Sequence, residues 1–218
     1  MPSIIAVIPA KSFSNRIANK NLREMMGRPL YLHAVDTCAG AGVFEAVYLS
    51  SDSKLDTDMK AVLHDREISP AFGDVPATEV TKEVLNKYYP EAWRRPEWTC
   101  LVQPTSPCLR APSLAAAAML CQEDIDAVIA TRTNERAPCG AFYFFRSYIA
   151  ARLTNATDSL KVLDEVGRVC WYPLPSDECI DVDCHWDWKI AELILMERAR
   201  TEKGGIQDGS HGGENENY

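Results

Sequence analysis

Ile4-Ile5-Ala6-Val7-Ile8-Pro9-Ala10-Lys11-Ser12-Phe13-Ser14-Asn15-Arg16-Ile17-Ala18-Asn19-Lys20-Asn21 begins as an unbroken apolar, β-branched run and turns polar and basic at Pro9. A run with no polar alternation is what a strand buried on both faces of a parallel sheet requires. The basic stretch has no period, so it reads as a loop leaving the carboxyl end of that strand. Downstream, residues 30–38 are expected to form a helix, with Pro29 at its first turn and Gly40 and Gly42 as stop signals. Residues 46–49 read as a second strand entering Ser50-Ser51-Asp52-Ser53, where Asp52 or Ser53 can cap a helix running to about His64.

The same alternation continues to near the end of the chain. Helices are expected over 77–89 and 113–121, and strands over 99–102, 127–130, 140–145, 169–172 and 179–182. Residues 185–200 form an amphipathic helix marked by Ile190, Leu193 and Ile194, with Glu197 at a change of face. No internal repeat is present. Strands alternating with helices predict a three-layer α/β/α sandwich on a mostly parallel sheet. Such sheets bind ligands beyond the carboxyl ends of their strands. Three loops leave strands there: 9–21, 50–53 and 103–107.

The 218 residues, 46% hydrophobic and 25% charged, suit one soluble domain over 1–202, followed by a Gly-, Glu- and Asn-rich flexible tail over 203–218. A net charge of -8 argues against a nucleic-acid partner, which would need a basic face. No apolar run is long enough to span a membrane, and the start reads as a strand and not as a signal peptide. A cytoplasmic location is the expectation. The 8 cysteines include no Cys-x-x-Cys pair and are expected to be reduced. Cys179, Cys184 and His185 lie close in sequence, but their spacing fits no common zinc pattern.

Two elements carry chemistry. The first loop places Lys11, Arg16 and Lys20 among hydroxyls and amides, which suits a polyphosphate, although it lacks the Gly-Lys-Ser/Thr of a Walker loop. A solvated basic loop remains the alternative. In Ile180-Asp181-Val182-Asp183, strand alternation would send both carboxylates to one face, and adjacent carboxylates repel unless a cation such as Mg2+ sits between them. A solvent-facing edge strand is the alternative here. Together, a basic loop after the first strand and a late Asp-x-Asp are what a nucleotidyltransferase needs. His33 and the pair Met25-Met26 read as packing, and Trp186 and Trp188, which flank Asp187 at a helix start, as core or interface.

The first loop resembles the Pro-Ala-Arg-x-Gly-Ser-Lys-x-Ile-Pro-x-Lys-Asn opening of CMP-N-acetylneuraminic acid synthetases, the acylneuraminate cytidylyltransferases. Gly27-Arg28-Pro29-Leu30, Leu49-Ser50-Ser51-Asp52-Ser53, Leu101-Val102-Gln103-Pro104-Thr105-Ser106-Pro107, Gly140-Ala141-Phe142-Tyr143 and Ile180-Asp181-Val182-Asp183 are similar, in order, to later motifs of that family. The resemblance extends to about Leu195. It implies a nucleotide-diphospho-sugar transferase fold that joins CTP to an acidic sugar and releases pyrophosphate. Carried over by position, Ala10, Lys11, Ser14 and Thr78 would bind nucleotide. Lys20 and Asn21 would meet the phosphates, with Arg16 standing in for a family lysine. Gln103 would face the acceptor, and Asp181 and Asp183 would hold Mg2+, with Lys20 beside them in catalysis.

The chain also departs from the family. Lys11 replaces an arginine, Phe13 a glycine, Asn15 a lysine, Cys139 an asparagine and Ser69 an arginine. Only about ten residues separate the 127–130 strand from Gly140, where the family carries a longer arm that touches sugar and forms a dimer. A smaller acid such as a phosphonate, or nucleotide binding without catalysis, are therefore the alternative functions. Arg132 and Arg136 are the nearest cations to Gln103 in this layout and are expected to meet the acceptor. Any homodimer is expected to use another surface, with Trp171, Trp186 or Trp188 in it.

Overall fold

A computed structural model describes residues 1–14, 16–52, 62–65, 77–133, 135, 137–150 and 167–204. In chain order the elements are β1 (Ile4–Pro9), a hairpin of β2 (Glu24–Met25) and β3 (Arg28–Pro29), α1 (Leu30–Ala41), β4 (Ala46–Ser51), β5 (Val62–Asp65), α2 (Ala77–Tyr88), β6 (Trp98–Val102), α3 (Ala111–Ala118), β7 (Ala127–Arg132), β8 (Pro138–Arg146), α4 (Ser147–Ala150), β9 (Val169–Leu174) and α5 (His185–Gly204).

β1 is apolar throughout because each of its faces meets a different helical layer. Ile4, Ala6 and Ile8 pack with Leu32 and Val35 of α1 and Leu114 and Ala117 of α3. Ile5 and Val7 pack on the opposite face with Val80, Val84 and Leu85 of α2 and Ala150 of α4. Each isoleucine buried this way stabilises the fold by roughly 1.5–3 kcal/mol. The result is the three-layer sandwich that the sequence predicts. Its seven-stranded sheet has the order β5-β4-β1-β6-β8-β7-β9. β1 pairs in parallel with both β4 and β6, and β7 pairs in parallel with β9. β8 runs antiparallel to both of its neighbours.

Three expectations need correction. The expected helix toward His64 is contradicted at its end, since Val62–Asp65 is a strand in parallel register with Tyr48–Ser51; residues 53–61 lie outside the described residues. Ladder pairing with an adjacent edge outweighs local propensity there. Residues 179–182 form no strand. Ser176–Glu178 is a single 3-10 turn, and the chain beyond it is irregular up to α5. Val182 N–H donates to Thr105 O in the loop after β6 at 2.8 Å, and Ile180 and Val182 pack onto an apolar cluster below α5 instead of extending the sheet. α5 itself turns Trp188 and Ala191 inward, whereas Ile190 and Leu193 face out. The tail expected over 203–218 starts too early, since α5 includes 203 and 204, and 205–218 lie outside the described residues. No described helix is long and apolar enough to cross a membrane.

Arg198 ties α5 to the body of the fold. It donates to Cys108 O at 2.6 Å and to Asp177 Oδ2 at 2.6 Å, and Arg110 donates to the same oxygen at 2.5 Å. The Arg198 bond holds the Asp177 carboxyl below its ordinary range. A depressed carboxyl contributes stability above its unfolded value of about 3.9 and loses it as pH falls through the folded value. Asp177→Asn is expected to cost about 1 kcal/mol at neutral pH, discounted because the carboxylate is 40% exposed. Urea melts at about pH 7 and about pH 3 should show the gap closing in acid. An equal gap at both would assign the loss to something other than charge.

Candidate active site

From β1 the chain first builds outward through β4 and β5, then crosses to β6 on the other side. That reversal opens a crevice between the loops that follow β1 and β6. The first loop is pinned at its root. Ala10 N–H donates to Ser50 O at 2.7 Å, and Ser51 Oγ donates to Ala10 O at 2.8 Å. Ser12 then donates twice to the Asp52 carboxylate, from N at 2.6 Å and from Oγ at 3.0 Å. Asp52 thus holds the loop at its root; the residues that the sequence expects it to cap, 53–61, lie outside the described residues. Asn19 adopts φ 52, a left-handed conformation that Asn tolerates, and turns the chain into the 3-10 turn Lys20–Leu22.

This turn sends Lys20 inward, to 8% exposure. Its Nζ donates to Val182 O at 2.5 Å and to Asp183 Oδ1 at 3.1 Å. Arg16, on the exposed side of the loop, pairs with Asp183 Oδ2. Asn21 is buried, and its Nδ2 donates to Lys11 O at 3.0 Å while its Oδ1 has no hydrogen-bond partner.

The carboxylate segment docks on the β6 loop, where Val182 N–H donates to Thr105 O at 2.8 Å. With Ile180 and Val182 in the apolar cluster, alternation still presents Asp181 and Asp183 together although no strand forms. Burial pushes the Asp181 carboxyl up. A Thr105 side-chain hydrogen bond opposes that rise, the Asp183 charge adds to it, and Lys20 counters it. Asp181 Oδ1 is buried with no partner. Asp187 is turned away to the start of α5, where its Oδ2 accepts the N–H groups of Asp183 at 2.9 Å and Cys184 at 2.7 Å. It closes the end of the helix and fixes the direction of the Asp183 backbone.

Gly140 makes room for Asp181. Its φ is +89, and a Cβ there would lie 3.0 Å from Asp181 Oδ2. Gly140→Ala is expected to cost about 1–3 kcal/mol in stability and to lower turnover roughly 10–100-fold by displacing the carboxylate. Thermal melts and initial rates on the folded fraction would check this. A variant with wild-type rates would separate Asp181 from the chemistry.

The remaining candidates divide. Thr78 sits in the first turn of α2, with a buried Oγ1 that has no partner. Ser14 is half-buried in the loop and Lys11 is exposed. Gln103 is fixed through its backbone, its N–H donating to Ala141 O at 3.0 Å. Arg132 is exposed at the end of β7, and its charge reaches the Cys139 and Cys179 thiols. Arg136 lies outside the described residues. His33 is tied to Met25 O at 3.0 Å, as packing requires. All 8 cysteines are free. Among the described residues no group of three His, Cys, Asp or Glu side chains is arranged to hold a metal. The sequence reading missed Asp187, Thr105 and the role of Gly140. A glycine directly after a strand's first residues was the one available signal.

The order and direction of the strands are those of the nucleotide-diphospho-sugar transferase fold. The solved structure of CMP:2-keto-3-deoxy-manno-octonic acid synthetase complexed with CTP shares this fold, with a TM-score of 0.66 over 90% of this chain and 99% of that one, at 12% identity. The family model described as cytidylyltransferase matches residues 5–164. The chain belongs to the cytidylyltransferase family. Pseudaminic acid cytidylyltransferase of Campylobacter jejuni is 36% identical over 50 residues, 23% of this chain and 22% of that protein. CMP-N,N'-diacetyllegionaminic acid synthase of Legionella pneumophila is 38% identical over 56 residues, 26% of this chain and 24% of that protein. These matches therefore span about a quarter or less of the curated relatives' length.

Proposed function

We propose that this protein transfers CMP from CTP to an acidic sugar and releases pyrophosphate. The observation that carries the reading is the meeting of Lys20 and Arg16 with Asp183 at the mouth of the β1 crevice. Two cations poised there can exchange a carboxylate partner for the phosphates of a nucleotide. An acceptor oxygen would then form a bond to the α-phosphorus as the bond to the pyrophosphate oxygen breaks. Lys20, held rigidly by Val182 O, would stabilise charge on the departing pyrophosphate. Thr78 and the Asn21 amide supply unpaired buried polar atoms for the nucleotide.

A divalent cation fits the carboxylates. The orphaned Asp181 Oδ1 and the raised Asp181 carboxyl are the marks of a group that favours a proton or a cation. Mg2+ commonly takes one or two carboxylates together with substrate phosphates, so Asp181 and Asp183 would hold it. When bound, it would supply Lewis-acid stabilisation of phosphate charge.

Pseudaminic, diacetyllegionaminic and octonic acids appear in the relatives' names and support an acidic sugar as acceptor. A second reading, a smaller acid such as a phosphonate, is favoured by the connection between β7 and β8. β7 ends at Arg132 and β8 begins at Pro138, and Thr131 Oγ1 lies 2.7 Å from Glu135 O and 2.8 Å from Ala137 O. A connection closed this tightly covers little of a nine-carbon sugar. Arg132 at its base would then meet the acceptor's acid group. The test is pyrophosphate release from CTP and Mg2+ with N-acetylneuraminate, a shorter ulosonic acid and a small phosphonate, repeated on Arg132→Ala. Arg132→Ala is expected to raise the acceptor KM about tenfold or more while leaving that of CTP unchanged. No release with any acid would remove the transferase reading, and efficient N-acetylneuraminate turnover unchanged by the substitution would remove the small-acid one.

A further inference from the structure

α5 is apolar on two sides. Trp188 and Ala191 are buried against the cluster beneath it. On the outer face Trp186 is 71% exposed, Ile190 44% and Leu193 61%. Their spacing of i, i+4 and i+7 makes one straight seam, which the exposed Glu197 and Arg200 continue at the same heptad interval. A helix with apolar side chains around both faces is normally covered on both.

The seam is complementary to itself in one orientation. Two copies of α5 laid antiparallel about Leu193 bring Leu193 against the partner's Leu193 and Ile190 against the partner's Met196. Lys189 then faces the partner's Glu197, and Trp186 faces the partner's Arg200, a cation–π pairing. The Leu193 contact sits on the two-fold axis, and each of the others occurs twice by symmetry. The groups already make weaker versions within one chain, with Lys189 Nζ 4.9 Å from the Trp186 ring and Arg200 3.7 Å from the Glu197 carboxylate. A parallel pairing would instead oppose lysine to lysine and glutamate to glutamate, and would align the helix dipoles unfavourably.

We propose that α5 is a homodimer interface, pairing antiparallel with a second copy of this chain centred on Leu193. One helix of 20 residues, about 30 Å long, provides an interface at the small end of specific complexes. The dimer is therefore weak and depends on concentration. It stands apart from the catalytic reading, since neither nucleotide nor acceptor takes part.

Analytical ultracentrifugation of the full chain tests the proposal. The weight-average mass should rise with concentration from 24.3 kDa toward twice that value. Leu193→Arg should hold it at the monomer mass with an unchanged far-ultraviolet circular dichroism spectrum, because the position is exposed. Lys189→Glu and Glu197→Lys should each raise the dissociation constant about tenfold, and the double charge swap should return it to the parent value. A parent that stays monomeric, a dimer indifferent to Leu193→Arg, or single reversals that the double swap fails to rescue would each overturn the proposal. So would a monomer that sediments with anionic phosphatidylglycerol vesicles, since a lipid surface would then be the occupant.

Discussion

On the proposed reading, Asp183→Asn is expected to lower turnover by roughly 10²–10³-fold or more at saturating Mg2+, because the several kcal/mol of charge stabilisation that a cation held by Asp181 and Asp183 would supply depends on both carboxylates. The fold should survive, since Asp183 is 45% exposed and its backbone N–H bonds to Asp187 are unaffected by the side chain. Metal-free CTP affinity should move the other way, staying level or tightening. Asp183 neutralises both Arg16 and Lys20, and the asparagine would release both cations to the phosphates. Initial rates with Mg2+ and calorimetry without it check the two halves separately. Wild-type turnover would remove the metal assignment. Weaker metal-free binding would show that Asp183 organises the loop instead of competing with the nucleotide.

Lys20→Met weakens CTP binding about 10–100-fold, the equivalent of the roughly 1.5–3 kcal/mol of a charge-assisted contact. Arg23→Met is the control. Its guanidinium lies over the Trp188 ring at 4.9 Å, so its loss should trim stability and leave nucleotide affinity nearly unchanged. Calorimetric titration of CTP into both variants decides the matter. Equal affinity in the Lys20 variant and the wild type would move the phosphate site elsewhere in the loop.

The layers were legible because β1 is apolar at every position, a pattern that only a strand covered on both faces sustains. β5 was not, since nothing in Val62-Leu63-His64-Asp65 distinguishes the last turn of a helix from an edge strand until β4 is there to pair with it. The Asp181 and Asp183 pair survived an error about its setting. Alternation needs only an extended backbone with one apolar side, and Ile180 and Val182 provide that without a sheet. Which of the loop's cations is buried depends on the left-handed turn at Asn19, a conformation that composition does not announce. Asp187 was hidden for a different reason. An acid in the first turn of a helix is ordinary, and only the bonds from Asp183 and Cys184 reveal that it orients the neighbouring carboxylate segment.

The bond from Lys20 to Asp183 joins residues 163 positions apart. On a ribosome adding about 5–20 residues per second, Lys20 emerges roughly 10–30 s before its acceptor exists. β1, β4 and β6 can pair in that interval, because all three precede residue 103. The basic loop cannot settle then, since a buried ammonium without its carbonyl and carboxylate is strongly disfavoured. It must stay hydrated until the segment ahead of α5 arrives. The scaffold is therefore built early and the candidate site last, so a chain released before residue 183 can pair its sheet and still lack the Lys20 contacts to Val182 and Asp183.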